Sequence, residues 1–242
     1  MTYYNKVLHL RRLAAIDPDL VPKALADGIH SDSIRHATSF NHIETVHYLL
    51  SLIPKPYQYW SPATGKAPLL IAAQEGYTEI LALMVPYMDK PASALTWQAA
   101  KGGHLSAVQY FVNHYRTTEH LADVLNNGIY GAMSRNRLDI IEYLIENNLR
   151  NQPFMHSCMC DMIDWNLVDV YRLLVDHGFD VTAHQLRIAV HAQSGDDTEM
   201  LELVLDAEEW DREVLKEMAI ESYSRGSIVQ DLLNSYIKSE ST

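Results

Sequence analysis

A glycine or asparagine recurs at one place in the pattern of this chain: Asn41, Gly76, Gly103, Asn136 and Asn166. The intervals are 35, 27, 33 and 30 residues. Glycine and asparagine most readily take the left-handed backbone conformation. A chain that needs that conformation at near-regular intervals reverses direction at near-regular intervals. The stretch Ala67–Leu83 is the clearest copy. After Gly65-Lys66, Pro68 suits the first turn of a helix. Leu69, Ile71, Ala72 and Ala73 give that helix an apolar face, and Gly76 ends it. Thr78 is then expected to cap a second helix carrying Ile80, Leu81, Leu83 and Met84. The unit is a helix, a tight turn and a second helix.

A helix pair this small cannot bury its apolar face alone and has to stack on another. The stretches Ile43–Leu50, Leu105–Val112, Leu138–Ile145 and Val168–Val175 repeat the second-helix pattern. In Ala67-Pro68-Leu69-Leu70-Ile71-Ala72-Ala73-Gln74-Glu75-Gly76-Tyr77 and in Leu173-Leu174-Val175-Asp176-His177-Gly178-Phe179-Asp180-Val181-Thr182 the chain resembles the ankyrin-repeat family. The resemblance covers residues 31–182 well and 184–237 loosely. It implies an all-α solenoid of stacked helix-turn-helix units with irregular connecting loops. On that reading residues 1–30 form an N-terminal helical cap, 31–209 hold about six ankyrin-like units, and 210–242 form a capping helix pair with a polar tail. Only the second unit keeps the proline of the family's T-P-L-H motif, and none keeps both its Thr and its His. The connections are therefore expected as loops, with little or no sheet.

Three local features stand apart. The segment Ile53–Pro62 holds three prolines together with Tyr57, Tyr59 and Trp60. It is either a rigid binding loop or a flap whose rings fold back over the second helices. Asn126-Asn127-Gly128 reads as a turn that opens the fourth unit. An insertion at Gln193–Asp197 lengthens the turn of the sixth, and a last helix pair is expected around Arg225-Gly226.

The composition removes several classes of function. A net charge of -12 with no basic run argues against nucleic acid. No apolar run approaches the length of a membrane span, and the N-terminus lacks the form of a secretory signal. Cys158 and Cys160 lie too close together in sequence for an unstrained bridge. A monomer in the cytoplasm is expected.

His156, Cys158, Cys160 and Asp161 form one tight group without the second ligand pair that a zinc site uses. Both cysteines fit helix positions, where thiols pack as small hydrophobes. No catalytic, cofactor or metal residue is assigned. A hydrolase or thiol enzyme centred on Cys158 or Cys160 stands as the enzymatic alternative.

The resemblance implies a non-enzymatic module that binds a protein partner through its concave face and loops. The residues expected there are Trp97, Lys101, Tyr130, Arg135 and Trp165, joined by Tyr57, Tyr59 and Trp60 on the proline loop. Trp97, Tyr130 and Trp165 are expected to line one stripe. The rings serve either a partner or the gaps between units. The divergent repeats also resemble ankyrin proteins that intracellular bacteria deliver into host cells. Glu208-Glu209 and the Ser-Glu-Ser-Thr end are similar to their export signals. This gives a second expectation, an effector acting on a host protein in the host cytosol.

Overall fold

The computed structural model describes residues 30–51, 68–88, 93–148, 152–192, 197–222 and 227–239. The expected N-terminal cap, the Tyr57–Trp60 loop, most of the Gln193–Asp197 insertion, the Arg225-Gly226 turn and the last three residues lie outside the described residues. Among the described residues there is no strand. The helices are α1 (His30–Ser39), α2 (Ile43–Ser51), α3 (Pro68–Gln74), α4 (Thr78–Met84), α5 (Ser93–Gly102), α6 (Leu105–Tyr115), α7 (Leu121–Met133), α8 (Leu138–Asn148), α9 (Gln152–Asp164), α10 (Val168–Asp176), α11 (Ala183–Ala192), α12 (Glu199–Asp206), α13 (Arg212–Glu221) and α14 (Ser227–Ser239). A 3₁₀ turn, Val85–Tyr87, extends α4.

The turns explain why these helices come in pairs. Asn41, Gly76, Gly103, Asn136 and Asn166 all have positive φ, between 51° and 84°. Gly178 joins them at 79°. Each carries the same pair of bonds. The amide of Gly76 donates to the Ala73 carbonyl at 3.3 Å, and that of Tyr77 to the Ala72 carbonyl at 2.8 Å. Asn136 and Arg137 do the same to Met133 and Ala132, at 3.2 and 3.0 Å. This is the Schellman closure, which satisfies two of the carbonyls that a helix end leaves open. The next residue starts the following helix at once. Tyr77 sits at φ -77°, ψ 74°, and the Thr78 amide folds back to the Gly76 carbonyl at 2.8 Å. Tyr77, not Thr78, is therefore the N-cap of α4, and it makes no side-chain capping bond. The Thr78 hydroxyl instead donates to the Gly76 carbonyl at 3.3 Å.

The chain divides into two compact units, residues 1–140 and 141–242, with the division inside α8. In the first unit α1, α3, α5 and α7 pack side by side in that order, and α2, α4 and α6 form a second row. The small pairs Ala72-Ala73 and Ala99-Ala100 are fully buried between the rows. Ile34, Val46, Leu69, Ile80, Leu81, Leu95, Val108, Phe111 and Ile129 fill the rest. The second unit repeats the arrangement with α9, α11 and α13 in one row and α10 and α12 in the other. Met155, Met162, Val170, Leu174, Leu186, Leu201 and Leu215 make its core. Helix α14 packs on α13, and Tyr236 donates its hydroxyl to the Asp206 carboxylate at the end of α12.

One expectation fails in an informative way. Asn126-Asn127-Gly128 is not a turn but the middle of α7. The turn lies earlier, between Tyr115 and Leu121. Val124, Leu125, Gly128, Ile129, Ala132 and Met133 are all buried, so the apolar period of a packed helix outweighs the local turn preference. The Asn127 side chain is absorbed into the helix, donating to the Asp123 carbonyl at 2.8 Å.

Gly131 also lets α7 come close to α5. A Cβ on Gly131 would stand 2.3 Å from the Trp97 carbonyl oxygen. Gly131→Ala is expected to push the two backbones apart and to destabilise the chain by about 1–3 kcal/mol. Urea unfolding of the variant, followed by circular dichroism, measures this.

Candidate functional site

The surface to be tested is the edge where odd-numbered helices end and turn. Helix α5 puts Trp97 and Lys101 one turn apart, and the Lys101 Nζ lies 4.5 Å from the centre of the Trp97 ring. A cation over an indole face is a favourable contact worth about 0.5–1 kcal/mol where exposed. Both side chains are half-buried. Tyr130 on α7 is half-buried as well, next to the glycine that meets the Trp97 carbonyl. Counted from the left-handed turn residue, Trp97 and Tyr130 hold the same place, six residues before Gly103 and Asn136. Trp97 and Tyr130 thus lie on neighbouring helices at their closest approach.

Trp165 does not share that place. It immediately precedes Asn166, at the position of Phe40, Glu75 and Arg135. This is the last residue before the reversal, and its side chain projects outward: Trp165 is 51% exposed and Phe40 is 65% exposed. Trp165 belongs to the second unit, at a register different from that of Trp97 and Tyr130. Equivalent placement of the three rings is therefore corrected to two. Tyr57, Tyr59 and Trp60 fall outside the described residues.

The turns of the first unit are tied to one another by the residue that follows each left-handed position. His104 lays its ring where a Gly76 Cβ would go, at 2.5 Å, and its Nε2 bonds the Gln74 carbonyl at 2.8 Å. Arg137 lies over Gly103 in the same way, with its guanidinium carbon 3.1 Å from the position of a Cβ. A Cβ on Gly76 would collide with the His104 ring, and one on Gly103 would press on the Arg137 side chain. The glycines therefore serve the stacking as well as the reversal. His104 and Arg137 were not singled out in the sequence as surface residues. Their signal is their place directly after the turn glycine or asparagine.

The other candidate chemistry lies in the second unit. Cys158 is fully buried on α9, and Cys160 is half-buried. Burial pushes the Cys160 thiol above its ordinary range, and Asp161 and Asp164 push it further. A thiol held protonated is a poor nucleophile. Tyr171 lies in the same core, and its hydroxyl has no hydrogen-bond partner among the described residues. Burial raises its phenol, and Cys160 and Glu208 add to the rise. Among the described residues no three His, Cys, Asp or Glu side chains are placed to hold a metal ion. A pocket of about 150 Å³ lies between α9, α11 and α12, floored by Ile163 and Met200 and edged by Asp164 and Asp197. It is smaller than the roughly 300 Å³ of a typical ligand site.

No family model, no curated protein and no solved structure matches this chain. No described helix is long and apolar enough to cross a membrane.

Two measurements check these environments. Ellman's reagent at neutral pH is expected to react slowly with Cys160 and with Cys158 only after unfolding, and rapid reaction of the native chain would contradict the placement. Alkaline pH gives the second. Burial, with Tyr115 adding to it, raises the Tyr110 phenol from 10.0 to about 12. Burial together with Asp206 and Glu202 raises Tyr236 as well. Native Tyr110, Tyr171 and Tyr236 keep protons that the unfolded chain has already lost. The contribution of Tyr110 to stability is complete below pH 10.0 and is lost as the pH rises through about 12, and those of Tyr171 and Tyr236 are lost at higher pH. Urea midpoints are expected to fall over that interval.

Proposed function

We propose that this chain is an ankyrin-like, non-enzymatic module that binds a protein partner along the odd-helix edge of its first unit. The observation that carries the reading is the repeated turn. The same left-handed residue, with the same two closing bonds, joins every described odd helix from α1 to α9 to its even neighbour. Row-on-row stacking of such pairs is what the ankyrin resemblance calls for. Such stacking leaves the odd helices and their turns as an extended face. In the first unit that face carries Trp97, Lys101, Tyr130 and Arg135, and aromatics with Arg are the residues that dominate binding hot spots.

The raised Cys160 thiol weighs against a thiol enzyme, because its nucleophilic form is scarce at neutral pH. The small pocket beside α9 weighs against a substrate cavity.

The test is a pull-down from a cytosolic extract with wild type and with a Trp97→Ala/Tyr130→Ala variant whose helicity is verified. A specific protein retained by wild type and reduced at least tenfold with the variant is the expected result, since two hot-spot truncations cost about 1.4 kcal/mol or more. Equal retention by both chains would move the site off this edge.

A further inference from the structure

From charge placement in the first unit, we infer that the Trp97–Arg137 edge recognises an acidic, aromatic-containing segment of a partner protein. The inference rests on the binding-module reading above and adds the chemical class of the partner.

The first turns of α2, α4 and α8 carry Glu44, Glu79 and Asp139, each three residues after the left-handed residue. Acids there complement the positive end of a helix. Three cations gather at two of the turns, those of Gly103 and Asn136. Lys101 stands in the last turn of α5, and Arg135 and Arg137 flank Asn136.

Lys101 and Arg137 belong to one patch, and Arg135 stands exposed two residues before Arg137. Arg137 covers Gly103, two residues past Lys101. Lys101 covers the Trp97 ring, and the Trp97 carbonyl meets Gly131 beside Tyr130. Among the described residues none of the three makes an ion pair. In the second unit, by contrast, Arg172 pairs with Glu199, Arg187 with Glu217 and Glu221, and Lys216 with Glu213. A chain with 31 acidic and 19 basic residues has ample carboxylates to neutralise a cation. Three unneutralised cations beside two half-buried rings form a surface complementary to carboxylates and aromatic side chains.

A single-stranded nucleic acid is the competing anion, since it too uses cations and aromatic platforms. One observation favours the peptide. The net charge of -12 repels a long polyanion far more than a short acidic segment.

The test uses the full chain and a short, fluorescently labelled glutamate–tyrosine copolymer, with binding read by anisotropy. A lysine–tyrosine copolymer and a single-stranded oligothymidine serve as the competing probes. Wild type is expected to bind the acidic copolymer best. Binding should weaken between about 0.01 M and about 0.15 M salt, as the screening length shrinks from about 30 to about 8 Å. Lys101→Gln/Arg135→Gln, which leaves Arg137 in place over Gly103, should weaken binding about tenfold. Arg135→Gln alone, at an exposed position, should weaken it by a smaller factor and guards against misfolding of the double variant. The inference is overturned by unchanged affinity in these folded variants, by preference for the oligothymidine or the cationic copolymer, or by absence of binding to the acidic copolymer. If the acidic copolymer fails while loss of Trp97 and Tyr130 still abolishes partner capture, the binding module stands and only the acidic class falls.

Discussion

The left-handed turn residue is the constraint on which the rest of this structure depends. A helix cannot reverse in two residues unless one of them takes positive φ, and side chains other than those of glycine and asparagine resist that conformation. At Asn41, Gly76, Gly103, Asn136 and Asn166 the reversal closes with the same two backbone bonds, so consecutive helices leave each turn in a common geometry. A common geometry lets each pair stack on the next within its unit. Stacking then buries what one pair could not bury alone: Ala72, Ala73, Ile80 and Leu81 reach full burial only because neighbours lie on both sides.

The turn also decides what the surface carries. The residue after the left-handed position reaches back to the preceding turn, as His104 does to the Gln74 carbonyl and Arg137 does over Gly103. The residue before it projects into solvent, as Phe40 and Trp165 do. Lys101, two residues before its turn residue, and Trp97 and Tyr130, six residues before theirs, are half-buried. One conformational requirement thus distributes three kinds of side chain to three places: ties between turns, exposed tips and a partly sheltered strip.

Much of this is legible in the sequence, because the left-handed position leaves a chemical trace in residue identity. The turns at Asn41, Gly76, Gly103, Asn136 and Asn166 are all present, and Gly178 in the Leu173–Thr182 segment adds another. The all-helical class follows from the same pattern. Where the structure differs, packing, the exact cap position or register decides the outcome. Asn126-Asn127-Gly128 has the local chemistry of a turn, yet α7 runs through it because Val124, Gly128, Ile129 and Met133 share one buried face. Thr78 looks like a cap, but the reversal is complete one residue earlier, at Tyr77. Trp165 differs by five residues in register from Trp97 and Tyr130, a difference that emerges only when each is counted from its own turn.

The most direct test of the account is the stability of Asn136→Ala against Asn136→Gly, read as urea midpoints by circular dichroism. Asn136 has φ 51°. The account predicts that alanine, which resists this conformation, lowers stability by about 1 kcal/mol or more, while glycine leaves it unchanged or slightly raised. Equal tolerance of alanine and glycine at this position would contradict the claim that the left-handed turn organises the chain.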